Sequence, residues 1–171
     1  MLAITLPAID DIPAVTLHFE HSLVSISKWE SLHKKAFFGR ETKTPVESES
    51  YIRQMVLEEN PPEDLTDRLN VDDYTALAEY INSNQSGTWF REDQEPKPSS
   101  DVITSELVYY WLIQFQIPFN PVEEWHFSRL MTLIKIAGVK QSKPKRMSKQ
   151  SIAEQYRKLN AQRREQSGSA G

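Results

Sequence analysis

Apolar and polar residues alternate over residues 14–20, where Val15, Leu17 and Phe19 are interleaved with Thr16, His18 and Glu20. A period of two marks a half-buried strand. Residues 2–6 (LAITL) share that character, and Pro7 and Pro13 bracket a turn holding Asp10 and Asp11. These runs predict a small N-terminal hairpin, or strands that pair elsewhere. From Ser25 the spacing becomes helical. Ser27 is placed to cap a helix through KWESLHKKAFF, with Glu30 completing a capping box and Gly39 ending it. Thr44, Pro45 and Glu47 predict a second start, continued by Tyr51, Ile52, Met55 and Val56 and stopped at Asn60-Pro61-Pro62. A helical turn is expected over residues 63–69. Asn70 then caps a helix with an apolar stripe of Val71, Tyr74, Leu77, Ala78 and Ile81.

Residues 91–100 (REDQEPKPSS) read as a loop. Ser100 or Asp101 opens VITSELVYYWLIQFQI, which is apolar on all sides and predicts a central, mostly buried helix stopped by Pro118. Asn120, Pro121 and Glu123 predict one more start. The helix after them buries Val122, Trp125, Leu130, Leu133, Ile134 and Ala137 and closes at Gly138. The core is expected to centre on residues 101–116 and 121–137. Residues 139–147 form a basic linker. Ser148 caps a last amphipathic segment with a narrow stripe of Ile152, Tyr156 and Leu159, a helix short enough to need a docking surface. The expected fold class is mainly α (α+β): a compact helical domain with a small N-terminal β element (residues 1–138), and a basic C-terminal helical arm (residues 139–171).

Charge divides the chain at nearly the same place. Residues 1–134 carry 10 Lys and Arg against 22 Asp and Glu, and residues 135–171 carry 10 against 2. The sequence therefore predicts an acidic body with a basic arm, whose candidate contacts are Lys143, Lys145, Arg146, Lys149, Arg157, Lys158, Arg163 and Arg164. Such an arm suits nucleic acid, an acidic partner or a neighbouring copy's body; the alternative is a solvated tail. The chain has no cysteine, which excludes disulfides, thiolate metal sites and cysteine catalysis. No apolar run reaches the roughly 20 residues a membrane span needs. MLAITLPAIDDIP has neither a basic n-region nor a long h-region. The expectation is a soluble intracellular protein that does not engage a membrane.

The candidate chemistry is thin. There is no phosphate-binding or dinucleotide-binding glycine motif, no nucleophile elbow and no HExxH. His18, His21, His33 and His126 lack a supporting ligand pattern, and the paired carboxylates near residues 58–73 read as solvated charge and helix-dipole partners. No metal, cofactor or enzymatic role is expected. Glu106 is either a buried acid paired with Arg129 or Lys135, or an exposed residue early in its helix. The aromatics are the stronger signal. Trp29, Phe37, Tyr109, Tyr110 and Trp111 form the pool from which partner contacts are expected, the alternative being core residues. Apolar neighbours around Tyr109–Trp111 argue against a nucleic-acid surface there.

One set of stretches resembles a single family. It comprises FEHSLVSISKWES, YIRQM, ITSELVYYWLIQFQIPF, WHFSRLMTLIKI and KPKRMSKQSIAEQYRKLNAQRREQSGSAG. They are similar to the tail assembly chaperones of long-tailed bacteriophages, in the group common among phages of actinobacteria, over roughly residues 15–171. The most specific marks are Glu20-His21-Ser22-Leu23 leading into Ser27-Lys28-Trp29-Glu30, and Ile103-Thr104-Ser105-Glu106 leading into Tyr109-Tyr110-Trp111. Pro118-Phe119, Trp125-His126 with Arg129-Leu130, and Lys145-Arg146-Met147-Ser148 add to them. The resemblance implies a non-enzymatic protein that keeps the tape measure protein soluble in the host cytoplasm while the tail tube polymerises, and that is absent from the finished virion. The partners it implies are the tape measure protein, a longer frameshifted form of the chain and the tail tube protein; a homo-oligomer suits the charge division. The rival expectations are a structural virion component of the tail or connector, and a small nucleic-acid-binding protein acting through the basic arm.

Overall fold

A computed structural model describes residues 1–90, 102–141, 156–160 and 163. The chain divides into two units, Met1–Val139 and Lys140–Gly171. The first is mainly helical with a two-stranded sheet at its start. Strand β1 (Leu2–Leu6) pairs antiparallel with β2 (Val15–Phe19), Leu2 opposite Phe19 and Leu6 opposite Val15. The expected hairpin is therefore present. Its inward positions, Ile4, Leu6, Leu17 and Phe19, are buried. The turn is held by Arg68, whose Nη2 donates to the carbonyls of Pro7 and Pro13.

Helix α1 spans Leu23–His33. It begins five residues earlier than the sequence suggests, because Ser22 and Ser25 form the capping box and the Ser27–Glu30 pair does not. It also ends before Gly39: Lys34 takes the left-handed conformation (φ 55°) and closes the helix with a bond from its N–H to Glu30 O. Helix α2 (Pro45–Met55) starts as predicted, with Thr44 and Glu47 in a reciprocal capping box and Pro45 at the first position. It stops at Met55 and not at Asn60. Val56 turns extended and lies beside Phe19; Glu20 N–H donates to Met55 O and Leu57 N–H to His18 O. This turn buries Val56 against the hairpin and adds two backbone hydrogen bonds to the end of β2.

The short α3 (Leu65–Arg68) falls where a helical turn is expected, and α4 (Val71–Asn82) is capped by Asn70 and Asp73. Of its proposed stripe only Leu77 is buried, and Val71 is exposed. The apolar run at 101–116 yields a shorter α5 (Ser105–Gln114), capped by the Thr104 hydroxyl. Pro118 is not what stops it. Gln116 adopts φ 56°, Gln116 N–H bonds Ile113 O and Ile117 N–H bonds Leu112 O, a Schellman ending. The predicted cap-plus-proline start at Asn120 is absent, since the turn that follows Pro121 has no side-chain cap and the α-helix begins only at Phe127. A 3₁₀ turn (Val122–Glu124) leads to α6 (Phe127–Gln141), which runs through Gly138. Val122, Leu130 and Ile134 are buried as expected, whereas Trp125, Leu133 and Ala137 are only partly so.

The core also sits elsewhere than expected. Its fully buried side chains include Leu6, Leu17, Phe19, Leu23, Ile26, Trp29, Met55 and Leu65 as well as Val108, Leu112, Leu77 and Leu130. The hairpin with α1 and α2 is thus as central as α5 and α6. In the second unit, residues 156–160 and 163 are helical and exposed. The loop at 91–100, the Ser148 cap and Ile152 lie outside the described residues.

Candidate functional site

Helix α5 is apolar all round but is buried along one stripe only. Ser105, Val108 and Leu112 face the core. Trp111 and Phe115, four residues apart, lie on the side toward α6, and Tyr110 and Ile113 are 54% and 59% exposed on the outer face. The expectation of a mostly buried helix therefore fails. Across from Trp111 and Phe115, α6 presents Met131, Ile134, Lys135 and Gly138. Together with Thr132 and Val139 they line an open groove of about 580 Å³. Gly138 keeps it open: a Cβ there would stand 3.6 Å from Phe115 Cζ, so a larger side chain would project into the groove. The Lys135 ammonium lies 4.4 Å from the Phe90 ring centroid and is the one ionisable group among the groove's lining residues.

The five aromatics proposed as partner contacts separate under the structure. Trp29 is 1% exposed, its Nε1–H donates to Glu47 O at 2.7 Å, and it packs edge-on to Phe37, which is 7% exposed. These two are core residues, a correction to the pool. Lys43 lies over both rings, 4.0 Å from the Phe37 centroid and 5.4 Å from that of Trp29. Tyr109 is half-buried, donates to Glu123 at 2.9 Å and meets Phe119 edge-on. Burial, with the Glu123 carboxylate second, raises its phenol above the usual range. Tyr110 is the pool member that is exposed, and Trp111 is partly buried with one side lining the groove. Of the arm residues, Arg157, Lys158 and Arg163 are exposed. Lys143, Lys145, Arg146, Lys149 and Arg164 lie outside the described residues.

The sequence marks behind the resemblance meet in pairs in space. Glu30 is buried and accepts from Phe37 N–H (2.7 Å), Ser105 N–H (2.8 Å) and Ser105 Oγ–H (2.5 Å), which joins the Trp29-Glu30 stretch to the Thr104-Ser105 stretch. The buried acid of the α5 region is thus Glu30, while Glu106 is exposed. The second pairing joins His21-Ser22 to Trp125-His126. Ser22 bridges His126, Phe127 N–H donates to His21 O at 2.6 Å, and the two imidazoles stand 5.2 Å apart. His126 Nε2–H donates to Tyr80 O at 3.0 Å and Nδ1 accepts from Ser128, while His21 Nδ1 contacts the Tyr51 hydroxyl. Burial, and next the neighbouring His126, hold His21 down to about 4. Both clusters fasten elements together.

Phe115, Met131 and Gly138 are the groove residues that the sequence reading missed. The signal was present: three apolar stripes on α5 are more than one core can cover. Among the described residues no group of three His, Asp or Glu side chains is placed to hold a metal ion, and no helix is long and apolar enough to cross a membrane. Compared with known proteins, the chain matches no family model, no curated protein and no solved structure.

Proposed function

We propose that this chain is a non-enzymatic tail assembly chaperone that holds a tape measure protein in solution through the groove between α5 and α6. The observation that carries this reading is the groove itself: an open apolar channel flanked by two helices, with aromatic and thioether walls and one cation. Such a surface suits the apolar face of an amphipathic helix, and methionine lets it adapt to varied side chains. Each large apolar side chain transferred from water contributes about 1.5–3 kcal/mol before association costs. A client segment seating three or four such residues is bound firmly yet reversibly, which is what a protein displaced by tail tube subunits requires. The acidic exterior keeps the loaded complex soluble. The resemblance names the client, places the work in the host cytoplasm and leaves the chaperone out of the virion. It also names the tail tube protein and a longer frameshifted form as further partners.

The test is co-expression. The tape measure protein made alone should be insoluble or degraded; made with this chain it should be soluble and co-purify. Equal solubility in both cases, with no co-elution and stoichiometric retention in virions, would move the reading to a structural tail component.

A further inference from the structure

The acidic body contains one basic pole. Half of the 10 cations in residues 1–134 fall within residues 28–43: Lys28, Lys34, Lys35, Arg40 and Lys43. The loop between α1 and α2 gathers the last four around a cavity of about 450 Å³ floored by Trp29, Ala36 and Val102. Lys35 is already paired with Glu47 at 2.7 Å and Glu41 at 3.8 Å. Lys43 donates to Phe37 O and lies over aromatic rings, and burial lowers its affinity for a proton. The side chains of Lys34 and Arg40 make no hydrogen bond or ion pair among the described residues. This mouth therefore holds three cations without a bonded carboxylate, at the edge of an apolar floor.

At the far end of α2 the sign reverses. The chain leaves Met55 and passes through Glu58, Glu59, Glu63, Asp64 and Asp67 before α4. Glu58 is engaged by His18, and Asp64 lies 3.8 Å from Arg68. Glu59, Glu63 and Asp67 are exposed, and no cation pairs with their carboxylates among the described residues. The 11 residues of α2 hold the two segments about 16 Å apart along the helix axis, beyond the Debye length of about 8 Å at physiological salt. The poles of one chain cannot neutralise each other.

We propose that the basic mouth at residues 34–43 receives the acidic segment at residues 58–67 of a second copy. Opposite poles at opposite ends of one helix make a heterologous contact, one that leaves a pole unsatisfied at each end of the pair and so extends. Surface charge acts mainly on encounter and orientation, so the contact is weak singly and strengthens when copies are held side by side. It is independent of what occupies the α5/α6 groove.

The test uses the full chain and exposed residues only. Sedimentation velocity on the native protein should show self-association at about 0.05 M salt that weakens at least about tenfold by about 0.5 M. The Lys34→Glu/Arg40→Glu variant and the Glu59→Lys/Glu63→Lys variant, each checked for native circular dichroism and melting, should each fail to self-associate. Mixed together they should associate again. A monomer at every concentration in low salt overturns the proposal, as does self-association that survives both reversals. So does association lost only when Arg157, Lys158 and Arg163 are changed to Gln, because the basic arm would then be the donor.

Discussion

Glu30 and His21 each place a group that prefers water inside the protein, and each makes a measurable demand on stability. The Glu30 carboxylate satisfies two backbone donors and one hydroxyl, and it sits at the N-terminus of α5 where the helix dipole favours a negative charge. Glu30→Gln keeps the shape but turns an NH₂ group toward donors. It should cost about 1.5–3 kcal/mol in urea denaturation, and Glu30→Ala, which leaves all three donors bare, at least about 3 kcal/mol. Losses under about 0.5 kcal/mol for both would remove Glu30 from its fastening role. His21 acts through pH. Its folded proton affinity lies near 4, below the ordinary 6.5, so the unfolded chain takes up a proton that the folded chain refuses. Stability should therefore be full above about pH 6.5 and fall by about 2 kcal/mol by about pH 5. His21→Phe should be less stable at neutral pH, with Tyr51 losing a partner, yet show a flatter decline between those values. An unchanged slope would assign the acid sensitivity to other groups, His126 first.

At the scale of elements, the sequence located most helices and misplaced several of their ends. Two helices close on left-handed residues that are not glycine, Lys34 and Gln116. A reading that waits for Gly39 or Pro118 overshoots both. The end of α2 was illegible for a different reason: Val56 turns extended to meet Phe19, a partner 37 positions back along the chain. The Thr44-Pro45-Glu47 box and the Asn70 cap were legible from residue type, whereas the Ser22 box, closed by a second serine in place of a glutamate, was not. The candidate site was half legible. The surplus of apolar stripes around Tyr109–Trp111 pointed to a contact surface, but Phe115, Met131 and Gly138 become a site only when α5 and α6 are laid side by side. Gly138 sits inside α6, where glycine weakens a helix, and an added methyl would meet only an ordinary contact. Gly138→Ala should raise stability by about 0.5–1 kcal/mol, read as a higher melting temperature. A lower one would mean that the close approach of Phe115 cannot yield.

At the scale of the whole molecule, the features that carry the resemblance and the feature that carries the proposed function are different. The paired marks, Glu30 with Ser105 and His21 with His126, hold the hairpin, α1, α5 and α6 in one arrangement, and that arrangement leaves the groove open. The two proposals divide the surface in the same way: a basic mouth for contact between copies and an apolar channel for the client. The central claim is that the channel binds the client, and groove occupancy tests it most directly. Gly138→Trp should fill the channel from the α6 side while leaving the core of Leu112 and Leu130 untouched. Co-elution of the tape measure protein with the native chain and with Gly138→Trp, both shown to be folded, is the measurement. The account predicts a soluble complex with the native chain and at least about a tenfold loss of bound client with Gly138→Trp, the equivalent of about 1.4 kcal/mol. Undiminished client binding by a folded Gly138→Trp protein would contradict it.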